Sequence, residues 1–333
     1  MSALVDDLAS RAAQVAAALC WRQWRALAGA GLPLGQQPVG SIVDPEALVL
    51  TSLAVRGQER RLDDQLRWWA EAGAWLMSVQ RMRTLLGDFP TRVRAELGWF
   101  AARAVEAGDP RWRVFVGKTK KADAGRPGKG PRELLLLEPA TLMLRLRAGL
   151  GVGAKADLLT FLIGAASRAG APVVATTAEV IAKAISYSIA STRRAASEMV
   201  VARLVDASAD RPVTYATDVA GWAGLLRLVE PAFVAEAAGM GWRAQVDVPP
   251  WRFWAQMLPF LAACAELSAD AAVAKAAPVV QASRMRDLAE RFRRPLAWNG
   301  IEWIDPRRFP GERYAEAFAR LADSVGRWVA EKG

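Results

Sequence analysis

The chain of 333 residues contains no histidine. That single absence excludes Ser-His-Asp and Cys-His nucleophile arrangements, zincin helices and Cys/His zinc fingers, because each needs an imidazole as base or ligand. Cysteine is nearly absent as well. Cys20 and Cys264 are the two present, far apart and without companion ligands, so they read as small buried hydrophobes and not as a bridge or a metal site. No tight cluster of Asp and Glu offers a carboxylate-only metal site. No uncharged apolar run approaches the ~18 residues that a membrane-spanning helix needs, and Asp6 and Asp7 stand where a secretory signal would be basic. The expectation is a cytoplasmic protein with no membrane association, no metal, no cofactor and no catalytic chemistry of its own.

What is present is apolar and arginine-rich. Hydrophobic residues make up 53% of the chain and charged residues 23%, enough for two or three domains with sizeable cores. The pattern is mainly α. Residues 3–28 carry apolar side chains at helical spacing through Leu4, Leu8, Ala12, Val15 and Leu19, and further helices are expected over 45–54, 61–76 and 79–86. Beyond residue 217, Asp218 can cap a helical stretch to about Ala238 that Pro231 interrupts. Two more stretches, 251–267 and 272–293, are each expected to break once, at Pro259 and Pro278. Residues 311–331 form an amphipathic final helix with Tyr314, Phe318, Leu321, Val325 and Trp328 on one stripe, which suits core packing or, alternatively, a dimer contact. Most of the 14 tryptophans, among them Trp68, Trp75, Trp222 and Trp328, fall inside such apolar patterns and read as packing residues.

The net charge of +10 is unevenly spread. Residues 1–110 are neutral overall, whereas residues 111–132 carry eight basic side chains against Asp123 alone. This Gly-, Pro- and Lys-rich stretch reads as a basic connector over 111–140. Its Lys118, Lys120, Lys121, Arg126 and Lys129 could lie along phosphates and add salt-sensitive affinity, or could serve only as a solvated linker. Two glycine motifs within reach of it are incomplete. The first glycine of a phosphate loop ending Gly117-Lys118-Thr119 would fall on Trp112, and Gly149-Leu-Gly151-Val-Gly153-Ala154 lacks the acidic residue of a dinucleotide fold about 20 positions on.

The most informative stretch is 176–215. Thr176 is expected to cap a helix with Val180, Ile181, Ala184 and Ile185 on one face. Ser186-Tyr187-Ser188 interrupts it, and Ser188 can cap a second helix with Thr192, Ala196, Met199 and Val200 on one side and Ser191, Arg193, Arg194 and Ser197 on the other. Asp206 to Asp210 has turn chemistry and Val213 to Tyr215 is strand-like. This order of elements is that of a winged helix-turn-helix, whose second helix enters the major groove of DNA.

At these residues the chain resembles the bacterial winged-helix regulators. Their pattern T-x-x-E-[IL]-A-x-x-[LI]-x-Y-S, followed by apolar, basic and apolar helix positions, falls on Thr177, Val180 to Ala182, Ile185, Tyr187-Ser188, Thr192, Arg194, Ala196 and Met199. The likeness runs from Leu142 to Ala216. The segment from Asp44 to Leu86 also resembles a helical part found beside winged helices in some bacterial proteins. The expected organisation is a helical domain over 1–110, the connector over 111–140, a winged helix over 141–216 and a helical domain over 217–333. The resemblance implies a transcriptional regulator of double-stranded DNA, working as a dimer. Ser188, Ser191, Arg193, Arg194 and Ser197 would meet base edges or phosphates, and Lys183, Arg211 and the basic connector the backbone. The alternative is a scaffold or antitoxin-like protein whose winged helix holds another protein.

Overall fold

The computed structural model describes residues 2–28, 39–117, 134, 136, 138–226, 228, 248–269, 273 and 275–332, and the fold is mainly helical. Lys118, Lys120, Lys121, Arg126 and Lys129 lie outside the described residues, as does Pro231. The chain divides into two compact units. One comprises residues 1–35, 44–134 and 253–333, and the other residues 36–43 and 135–252.

The first unit begins with α1 (Ser2–Ala28), α2 (Pro45–Val55), α3 (Arg61–Ala72), α4 (Val79–Leu85) and α5 (Thr91–Glu106). Helix α2 starts where Asp44 accepts a hydrogen bond from the Ala47 N–H and Pro45 occupies the first turn, which lacks an N–H acceptor in any case. Every residue of α2 is buried, as expected of a helix that is apolar all round. Its polar exceptions are paired. Arg81, fully buried, donates to both Asp44 and Glu46, and Glu46 also accepts from the Ser78 N–H at 2.6 Å. The Trp24 indole donates to Ser52 Oγ at 2.9 Å, and the rings of Trp24, Trp69 and Trp68 meet edge to face.

Helix α5 is a finding the sequence pattern did not reveal. Gly98 at its centre weakens the helical signal, yet a Cβ there would sit 3.3 Å from the Phe115 carbonyl oxygen, so the glycine admits a close neighbour. That neighbour belongs to a 3-10 turn over Pro110–Phe115, in which Trp112 is fully buried and Arg111 grips Asp109. Arg111 is therefore an ion-paired structural residue and not a free cation of the connector. Trp75 is another correction: it is 52% exposed instead of packed in the core.

The chain returns to this unit in α11 (Trp254–Glu266), α12 (Pro278–Arg291), α13 (Arg293–Trp298) and α14 (Arg313–Lys332). Pro259 lies within α11 without ending it, and Pro278 opens α12 in place of interrupting one. The final stripe packs inward: Tyr314, Phe318, Leu321 and Val325 are buried, and Trp328 meets Trp254 with ring centroids 5.2 Å apart. Core packing accounts for that stripe, which is therefore not available as a dimer contact.

The second unit contains α6 (Leu142–Leu150), α7 (Ala154–Ala169), β1 (Thr176–Thr177), α8 (Ala178–Ile185), α9 (Ile189–Val201), β2 (Asp206–Ala207), β3 (Thr214–Ala216) and α10 (Val219–Leu225). Helix α7 is its hub and packs against α6, α8, α9 and α10. Arg147 of α6 makes a two-pronged ion pair with Asp157 of α7, at 2.7 and 2.8 Å, with both side chains fully buried. On another side of α7, the Trp251 N–H donates to the Gly164 carbonyl at 2.8 Å. A Cβ on Gly164 would come within 2.9 Å of that same nitrogen, so only glycine permits the approach. The three short strands form an antiparallel sheet in the order β1-β3-β2, with Thr176 opposite Tyr215 and Ala207 also opposite Tyr215.

Candidate nucleic-acid interface

The candidate interface is built on α8, the tight turn after it, and α9. The helix cap falls on Thr177, one residue later than the sequence suggested, because Thr176 is already a strand residue paired with Tyr215. Ile181, Ala184 and Ile185 are buried as expected, whereas Val180 is 45% exposed, so the apolar face of α8 is narrower than its spacing implied. Ser186 adopts a left-handed conformation with φ 59° and ends the helix. Two residues on, Ser188 caps α9: its hydroxyl oxygen accepts from the Ser191 N–H at 3.1 Å and its O–H donates to Ser191 Oγ at 2.9 Å.

Thr192, Ala196 and Met199 are buried against the unit, and Val200 is half-buried. The opposite side of α9 carries Arg193, Arg194 and Ser197, all exposed, with Ser191 half-buried at its edge. No ion pair to Arg193 or Arg194 is found among the described residues. The glutamates closest in sequence are occupied elsewhere. Lys155 of α7 holds Glu198 at 2.6 Å, and Lys183 of α8 holds Glu179 at 2.6 Å. The hydrogen bond and charge of Lys155 keep the Glu198 carboxyl below the usual range, and the charge of Arg194 adds to this. Of the expected backbone contacts, Lys183 is therefore engaged by Glu179, while Arg211 is exposed in the connection between β2 and β3.

That connection runs later than the turn residues indicated. Asp206 and Ala207 form strand β2, and the reversal occupies 208–213. The Ser208 N–H donates to the Thr214 carbonyl at 2.9 Å and the Thr214 N–H donates to Ser208 Oγ at 3.0 Å. Thr217 ties the hairpin back to the end of α9 by donating to the Leu204 carbonyl at 3.1 Å.

Sequence reasoning missed two features. One is the capture of Glu198 by Lys155, two residues far apart in the chain. The other is apolar exposure beside the arginines: Ile189 is 40% exposed and Val201 85%. Among the described residues no group of His, Cys, Asp and Glu could hold a metal ion, and no helix is long and apolar enough to cross a membrane. Comparison with family models, curated proteins and solved structures finds no match to this chain.

Proposed function

We propose that residues 142–216 form a winged helix-turn-helix and that the chain is a sequence-specific double-stranded-DNA-binding protein acting as a transcriptional regulator. The observation that carries this reading is the outward side of α9. It presents two arginines that no carboxylate among the described residues pairs with, while both neighbouring glutamates are neutralised by lysines. An arginine that is not held by a carboxylate is available to a phosphate or to the edge of a guanine. The sheet order β1-β3-β2 supports the reading, since it lets the strand before α8 and the hairpin after α9 flank the two helices.

The test is a titration of Arg193→Ala/Arg194→Ala against a selected duplex and a scrambled one, with circular dichroism as fold control. Both side chains are exposed, so the variant should fold, and each base interaction removed should cost about 1–3 kcal/mol of discrimination. Deleting 118–129 should lower the salt slope by about 0.9 for each phosphate that the deleted residues neutralise. A wild-type protein without duplex affinity near physiological salt, or a folded double variant that binds both duplexes as wild type does, rules the reading out. One observation favours a second reading. Val180, Ile189 and Val201 expose apolar surface on the same two helices, which suits a protein partner.

A further inference from the structure

The two arginines of α9 are not equivalent. The buried residues Thr192, Ala195, Ala196 and Met199 set the inward direction of the helix. At about 100° per residue, the side diametrically opposite them is the ridge Ala190, Arg194, Ser197 and Val201, spaced i, i+4, i+7 and i+11. All four are exposed. Arg193 is rotated about 70° to one side of that ridge and Glu198 about 70° to the other. Glu198 is held there by Lys155 at 2.6 Å. Arg194 thus stands on the outermost line of the helix, between two small side chains, with its neighbouring acid already neutralised. Arg193 stands on the flank.

Resting on the DNA reading above, we propose that Arg194 reads a guanine, that Ala190 packs on the C5-methyl of a thymine about two base steps away, and that Arg193 contacts a phosphate. The first turns of a recognition helix are the part that reaches base edges. Small residues on either side of Arg194 let the helix backbone approach the groove floor, where a guanidinium fork fits guanine O6 and N7 and a bare methyl side chain fits only the thymine methyl. Ala190 and Arg194 differ by about 6 Å of helix rise, which matches roughly two base steps of 3.4 Å. A side chain directed off the ridge meets the groove wall, which is the phosphate backbone.

The experiment begins with selection from a random duplex pool by the wild-type protein. Arg193→Ala and Arg194→Ala are then titrated separately against the selected duplex and against a version with its guanine replaced. A third duplex carries deoxyuridine for thymine and so lacks only the methyl group. Arg194→Ala is expected to lose about ten- to a hundredfold of guanine preference with its salt slope kept. Arg193→Ala is expected to weaken both duplexes by one common factor and to lower the slope by about 0.9. Deoxyuridine should weaken wild-type binding about three- to fourfold, the worth of one buried methyl. If Arg193→Ala is the variant that loses guanine preference, or if deoxyuridine binds as thymine does, the assignment is overturned while the DNA reading stands. If the wild-type protein enriches no sequence, the DNA reading itself fails and this assignment with it.

Discussion

Replacing Asp157 by Asn should destabilise the second unit severely. Arg147 donates from Nε and one Nη to the two carboxylate oxygens, and neither side chain is accessible to solvent. Asparagine keeps the shape but offers one acceptor in place of two and removes the negative charge that faces the buried guanidinium. Breaking such a pair costs about 3–5 kcal/mol, a large share of the roughly 5–15 kcal/mol that holds a domain folded. The pair joins α6 to α7, and α7 in turn carries α8 and α9, so the cost falls on the scaffold of the candidate interface. Removing both charges has a different outcome. Arg147→Met/Asp157→Leu needs no desolvated ions and should be neutral or more stable than wild type by about 1–4 kcal/mol. Urea titrations followed by far-ultraviolet circular dichroism on wild type, Asp157→Asn, and the set Arg147→Met, Asp157→Leu and Arg147→Met/Asp157→Leu give both the cost and the cycle. An Asp157→Asn protein within about 1 kcal/mol of wild type, or a double variant as unstable as the singles, would refute the reasoning.

Arg203 follows α9 in a left-handed conformation, φ 58°, its N–H donating to the Val200 carbonyl at 2.9 Å and the Leu204 N–H to that of Met199 at 3.0 Å. This is a glycine position, so Arg203→Gly should raise stability by about 0.5–1 kcal/mol, read as a higher melting temperature. Burial pushes the Cys20 thiol up to about 12 and also raises that of Cys264. A thiol reagent at pH 8 should therefore label neither cysteine in the native protein and both after unfolding in urea. The hydrogen bond from Arg111 holds the Asp109 carboxyl below the ordinary aspartate value. The stability this contributes is complete above the unfolded value near about pH 4 and is lost as pH falls through the lower folded one. Asp109→Asn should accordingly lower stability at pH 7 and make the remaining loss between pH 4 and more acid solution shallower, as denaturant titrations at both pH values would show.

Local chemistry was legible in the sequence. The caps Ser188 and Asp218 and the basic side of α9 were read correctly, because a cap or a helical face depends on residues within about one turn of each other. Where a residue's role depends on a distant neighbour, local reading fails. Gly98 has no local signal for its role, which is to admit the Phe115 carbonyl; Val180 fits the apolar spacing and lies exposed; Thr176 has the chemistry of a cap and is a strand residue because Tyr215 pairs with it. The capture of Glu198 by Lys155, which leaves α9 facing outward with net positive charge, belongs to the same group. The amino acid sequence by itself determined that the chain is helical, that histidine-based chemistry is excluded, and which side of α9 is basic. Tertiary structure alone decided that α1 and α14, at opposite ends of the chain, share one unit through Arg11–Asp323 and through Arg22 donating to the Val329 carbonyl at 2.8 Å. An apolar stripe states that a helix face must be covered; only the folded chain, by bringing distant segments into contact, supplies what covers it.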